Sequence, residues 1–145
     1  MATGDRPDPF VNFNFHVEID GISRAAFQEV TGLDSTVDVI EHREGGWNTT
    51  PHKFPGQTKH ANIVLKHGMA SDRELVEWHR TITEGQIDRR NGSVVLLDRR
   101  RQEVGRWNFI RAWPSKYTGP SFNAESSDMA IESIELVHEG LERVS

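Results

Sequence analysis

The chain has 145 residues, a formal net charge of -5 and no cysteine, with a sequence pI of about 5.8 and a mean hydropathy of -0.61. The length fits one domain, the acidic balance argues against a dedicated nucleic-acid binder, and the missing cysteines exclude disulfides, zinc-thiolate sites and a cysteine nucleophile. A hydrophobic fraction of 35% is lean for a chain this short, which points to stability drawn from partners.

Met1 to Pro9 reads as a polar, proline-punctuated arm, flexible in isolation and without the apolar core of a signal peptide. One folded domain is expected over residues 10–145. From Phe10 the pattern alternates: Phe13, Phe15, Val17 and Ile19 share one side, and Asn12, Asn14, His16 and Glu18 the other. That is a half-buried strand with one wet face. Asp20-Gly21 signals a hairpin turn. A second strand is expected from Ile22 to Val30, bulged where alternation slips at Ala25-Ala26-Phe27, and a third from Thr36 to Arg43.

The stretch from Glu41 to Gly68 stands out. Strand patterns enter and leave it, and between them lie Gly45, Gly46, Pro51, Pro55 and Gly56 with two large aromatics, Trp47 and Phe54. The glycines and prolines predict a long irregular loop. Loops of that length in small domains are functional or disordered, and the aromatics argue for function. Lys59 to His67 then reads as a strand with Ala61, Ile63 and Leu65 inward.

Ser71-Asp72-Arg73-Glu74 forms a capping-box pattern. Leu75, Trp78 and Ile82 follow at helical spacing, with Arg73, Glu77, Arg80 and Glu84 opposite at ion-pairing intervals and Gly85 as the stop. Asn91-Gly92 reads as a turn, Ser93 to Leu97 as a buried strand, and Asp98 to Glu103 as a charged turn with Arg99, Arg100 and Arg101. Val104 to Trp113 is a strand placing Trp107, Phe109 and Trp113 on one parity. Pro114 to Pro120 is a connection. Asp128 to Glu139 suits a helix through Ile131, Ile134 and Val137, and a strand through its β-branched content and the Ser126-Ser127-Asp128 turn; periodicity leaves both open. The sum is a mainly β protein, an antiparallel barrel or sandwich with one helix.

Chemistry-bearing patterns are missing. His16, His42, His52, His60, His67, His79 and His138 are dispersed, without H-E-x-x-H or a compact carboxylate-histidine cluster, so no metal is expected. There is no G-x-S-x-G, and Ser71 is explained by capping. The acids between Asp128 and Glu142 show no singled-out pair. Gly45-Gly46 lacks the phosphate-loop pattern. The three arginines read as a solvated turn. No enzyme signature and no cofactor follow.

The order of the motifs, taken together, resembles the tail-tube protein family of contractile-tailed phages and related injection particles. The resemblance runs from about Phe10 to Leu141. It is carried by FNFHVEIDGI, by FQEVTGLDSTVDVIEHREGG, by KFPGQTKHANIVLKHG, by the helix SDRELVEWH, by NGSVVLLD, by VGRWNFIRAWPSKYTGP and by ESSDMAIESIELVHEGLE. It implies a small β-barrel with one flanking helix, the last segment being a strand. It implies six-membered rings stacked into the inner tube of a contractile tail or injection particle, with DNA or protein cargo passing through the lumen.

The partners so implied are further copies of the chain, a sheath protein, and baseplate, tube-initiator and terminator proteins, with no membrane insertion. Assembly would take place in the host cytoplasm, without a signal peptide. On that resemblance Gly45, Gly46, Trp47, Phe54, Pro55 and Gly56 contact the adjacent ring, and Arg73, Glu77, Arg80 and Glu84 face the sheath. The N-terminal arm and Pro114 to Pro120 join further inter-subunit contacts. The rivals are a tube-initiator or baseplate protein of the same fold and, from another class, a small β-barrel that binds a ligand or single-stranded nucleic acid through Trp107, Phe109 and Trp113.

Overall fold

The computed structural model describes residues 14–25, 27–43, 50–68, 73–125 and 130–145. The expected arm at 1–9, Gly45, Gly46 and Trp47, the Ser71-Asp72 half of the capping box, and the Ser126-Ser127-Asp128 turn lie outside the described residues.

Among the described residues, ten strands and one helix follow in order: β1 Asn14–Ile19, β2 Ile22–Ala25, β3 Glu29–Thr31, β4 Ser35–His42, β5 His52–His60, β6 Ile63–Gly68, α1 Glu74–Thr83, β7 Arg90–Leu97, β8 Glu103–Thr118, β9 Ile131–Val137 and β10 Gly140–Arg143. The main sheet runs β2-β1-β7-β8-β9-β6-β3, with β10 also on β8 and every pairing antiparallel. Its end strands β2 and β3 do not pair with each other. The sheet therefore folds over as a sandwich and does not close into the barrel that the resemblance implied.

One strand makes the fold-over possible. β8 pairs with β7 and β10 through its first part and with β9 through Trp113–Thr118. Between them Arg111 adopts a left-handed φ of 53°. The Arg111 N–H is taken by the Asn91 side chain at 3.0 Å. This inserted residue flips the parity: Gly105 and Phe109 are buried before it, Ala112 and Pro114 after it. Trp113 consequently leaves the face that Phe109 occupies, so the three aromatics expected on one parity do not share a face. The expected connection from Pro114 is strand as far as Thr118.

Alternation builds the core. Val17 and Ile19 of β1, Val94 of β7 and Phe109 of β8 meet Ile63 and Leu65 of β6 and Ile134 and Leu136 of β9, and Leu75 and Trp78 of α1 join them. The final segment is thus a strand, with Glu132, Ile134, Leu136 and His138 inward. The helix lies against β8 and β2. Trp78 donates its indole N–H to the Asp88 carbonyl at 2.9 Å, and the Arg90 guanidinium sits 5.0 Å over the ring. Gly85 ends the helix at φ +89 with its N–H on Ile82. Arg73 stands at the N-cap position without a side-chain cap bond.

Three further expectations change. The second strand is two strands: the slip near Phe27 is the chain crossing from β2 in one layer to β3 in the other, with Phe27 buried. Lys59 to His67 breaks at residues 61–62, and Ala61 is exposed while Ile63 and Leu65 point inward. Asn91-Gly92 is not a turn but part of β7, because Gly92 lets two neighbours close in: a Cβ there would strike the Phe109 ring and lie 2.6 Å from the Glu18 carbonyl. Gly92→Ala is expected to cost about 1–3 kcal/mol through overpacking, read as a lower urea midpoint with an unchanged m value.

Candidate assembly surface

The expected loop from Glu41 onward is mostly strand. β4 and β5 pair as a separate two-stranded ribbon outside the main sheet, with Ser35 opposite His60, Val39 opposite Pro55, Ile40 opposite Phe54, Glu41 opposite Lys53 and His42 opposite His52. In sequence alone proline and glycine read as barriers to regular structure. A ribbon has an unpaired edge on each strand, and the register shifts between Val37 and Val39; edges and bulges are where a strand accepts proline. Gly56 sits where a Cβ would come within 3.1 Å of both the Asp38 carbonyl and the Ile40 side chain.

The root of the ribbon is tight. Gly32 has φ +91, and a Cβ on it would collide with the Asn62 carbonyl, so the chain entering β4 and the chain leaving β5 touch through a position that only glycine fits. Beyond the root the side chains are wet. Val37, Val39, Ile40 and Phe54 are 44%, 63%, 54% and 50% exposed. Ile40, Phe54, His42 and His52 share one face and Val39, Pro55, Glu41 and Lys53 the other, by the two-residue alternation of strands. An isolated two-stranded ribbon is marginally stable in water. Bare edges combined with exposed β-branched and aromatic side chains form a surface that natural proteins keep covered. Of the residues expected to contact a neighbouring ring, Phe54, Pro55 and Gly56 lie on this ribbon.

The four charged helix residues are exposed and face away from the core, as the sequence spacing indicates. Arg73 pairs with Glu77 at 3.3 Å, and Arg80 with Glu84 at 3.1 Å and Glu77 at 3.9 Å. Their charges are satisfied within the helix. On β1 and β8, Arg106 binds Glu103 at 2.8 Å and Glu18 at 3.4 Å, and His16 meets Glu18 at 3.0 Å. The His16 hydrogen bond, with Arg106 assisting, holds the Glu18 carboxyl below its usual range. The arginine turn is as solvated as expected: Arg99, Arg100 and Arg101 are exposed, and Asp98 takes the N–H groups of Arg100 and Gln102.

A polar knot inside the second layer escaped the sequence reading. Glu132, 4% exposed, takes the Tyr117 hydroxyl at 2.5 Å and pairs with His67 at 2.9 Å; Phe27 stacks edge-on against His67. β6, β9 and β8 bring the three together. The alternation of Glu132 with Ile134 and Leu136 was the available signal, because it assigns the carboxylate to the core side once the segment is taken as a strand. The knot is a satisfied buried network, and among the described residues no group of three His, Cys, Asp or Glu is placed to hold a metal. Phe109 is buried and Trp107 packs on the core beneath Arg143, so the aromatics do not form the stacking platform of a nucleic-acid binder.

The hydrogen bond to Glu132, with burial and the Glu132 charge adding, pushes the Tyr117 hydroxyl up to about 12. A raised folded pKa means stability present below the ordinary value near 10 and lost as pH climbs toward 12. Tyr117 is the one tyrosine in the chain, so absorbance at 295 nm should show a midpoint near 12 in the folded protein and near 10 in urea. The Glu132→Gln variant should bring the folded midpoint down toward the urea value.

The model of the T4-like virus tail tube protein gp19 family matches residues 11–142. A chain of the PVC sheath-tube complex of an extracellular contractile injection system, in the extended state, is 31% identical over 94% of this chain and 92% of that one, with a TM-score of 0.85. A chain of the tube-terminating cap of the anti-feeding prophage is 28% identical over 100% and 99%, with a TM-score of 0.86. Hcp1 from Flavobacterium johnsoniae shares the fold at 18% identity and a TM-score of 0.60, over 90% and 94%. No curated protein sequence matches the chain.

Proposed function

The chain belongs to the T4-like virus tail tube protein gp19 family, and on that premise we propose that its β4–β5 ribbon is the element that joins one ring of the tube to the next. The protein is a structural subunit of the inner tube of a contractile tail or injection particle. Its partners are copies of itself, the sheath, and the baseplate and terminator of the particle. The neighbours described at 28% identity and above come from injection particles, which favours a conduit for protein over one for phage DNA. Six copies per ring, assembly in the producing cell's cytoplasm and the lack of a catalytic role belong to the same proposal. Within the described residues no helix is long and apolar enough to cross a membrane.

The observation that carries the ribbon's role is its exposure: Val37, Val39, Ile40 and Phe54 stand in water on a two-stranded element whose outer edges pair with no other strand among the described residues. Docking on a neighbouring subunit removes that apolar area from water and supplies partners to the edges. Gly45, Gly46 and Trp47 lie outside the described residues and belong to the same proposed contact. The outward face of α1 is the sheath-facing surface. Because Arg73, Glu77, Arg80 and Glu84 already pair with one another, they offer the sheath a mixed-charge face that sets orientation more than affinity.

Trp47→Ala combined with Phe54→Ala should leave a folded subunit, with an unchanged circular dichroism spectrum, that fails to polymerise. Tubes of normal length under negative stain would remove the ribbon from the stacking contact. Single rings from the unaltered protein would favour a role at the tube's end. Arg73→Glu combined with Arg80→Glu should leave tubes intact while cutting recovery of sheathed particles; unchanged sheathing would move the sheath contact off α1.

A further inference from the structure

The structure brings together two histidines that lie far apart in sequence, at the root of the ribbon. His60 ends β5, and His138 sits between β9 and β10; their ring centroids are 5.3 Å apart. His138 Nε2 lies 3.0 Å from the Ala61 carbonyl. A carbonyl only accepts, so Nε2 carries the proton and Nδ1 keeps a bare lone pair. Nδ1 of His138 and Nδ1 of His60 are both buried without a hydrogen-bond partner. The Gly140 backbone is near His138 but outside that geometry.

The surroundings offer an imidazolium backbone groups at Ala61 and Gly140 and, among the described residues, no carboxylate. From β8 the Phe109 ring faces His138 at 6.5 Å. From the 61–62 link come the Ala61 carbonyl, already used, and Asn62, which donates to Glu135 of β9 at 2.9 Å. The neighbouring Glu139 is held by Arg111 and Arg89. Among the described residues neither His60 nor His138 pairs with a carboxylate, whereas His16 has Glu18 and His67 has Glu132. A second proton on His138 would be buried beside another imidazole with no acceptor for Nδ1–H.

We propose that the His60–His138 pair is an acid-released pin: neutral, it fastens the ribbon root at Ala61 to the β9–β10 corner, and protonated, it lets the ribbon swing free and the tube come apart. This rests on the ribbon being the stacking element. Burial holds the His138 imidazole below its ordinary range, the backbone at Ala61 and at Gly140 offsets part of that, and charge on His60 depresses it further. The sign follows. The released form takes up the proton first, so the pin is fully fastened above about pH 6.5, the ordinary imidazole value, and weakens as pH falls below it.

Tubes of the unaltered protein, held at pH 7.5 and at pH 5.5, should shorten in acid, by electron microscopy and sedimentation. Amide exchange in β5, compared with His138→Gln at the same pH, should rise by up to about tenfold per pH unit per proton taken up. His138→Gln keeps a neutral donor for Ala61 and should leave tubes of one length at both pH values. Acid-resistant wild-type tubes would overturn the pin. So would a His138→Gln tube as acid-sensitive as wild type, which would assign the effect to the exposed His42 and His52 pair. An NMR titration of His138 in unassembled subunits of the unaltered protein separates the two claims: a midpoint at or above the ordinary imidazole value ends the pin, while normal Phe54→Ala tubes end the stacking role with the titration unaffected.

Discussion

The fold depends on β8 serving both layers of the folded sheet. Its early residues pair with β7 and β10 and its later ones with β9, and the left-handed residue Arg111 turns the strand between them. A straight strand would keep one parity and bury one set of alternate residues throughout. The single inserted residue lets Phe109 and Ala112 both face the core although they are three apart. The cost of a left-handed non-glycine residue is offset by the Asn91 side chain on its N–H and by the Arg111–Glu139 pair. Everything that closes the core, from β6 to α1, packs on the two layers this strand connects.

Much of this was legible. β1, β4, β6 and α1 follow their hydrophobic period, and Gly85 stops the helix where a left-handed residue is needed. Other signals failed for physical reasons. Asn91-Gly92 carries turn chemistry, but Gly92 is there because Phe109 and the Glu18 carbonyl press against it. Pro55 and Gly56 look like loop residues because sequence does not reveal that a strand has a free edge. The slip at Phe27 marks a change of layer, which a local pattern cannot distinguish from a bulge. The Ile131, Ile134 and Val137 spacing competed with the alternation that the sheet adopts, and neighbours in β6 and β8 decided it.

The candidate site was legible in part. Phe54 drew notice as an aromatic among glycines and prolines, and its exposure on the ribbon bears on the same question the sequence raised. The charged face of α1 followed from i, i+4 spacing. The histidine contacts did not, since His67 with Glu132 and His60 with His138 are 65 and 78 positions apart, and only the pairing of strands makes them neighbours. Seven histidines scattered along a chain read as ordinary solvated or partly buried side chains until the topology is known.

The ribbon's apolar exposure has a thermal consequence. Under the proposed stacking contact, removing Val37, Val39, Ile40 and Phe54 from water lowers the heat capacity of the assembled state. The nearby charges, Lys59 with Asp38 at 3.2 Å, are neutralised within the ribbon itself. An association built on such a surface loses driving force on cooling and gains it from sulfate, so cohesion through the proposed contact would follow solvent structure as much as the fit of the parts.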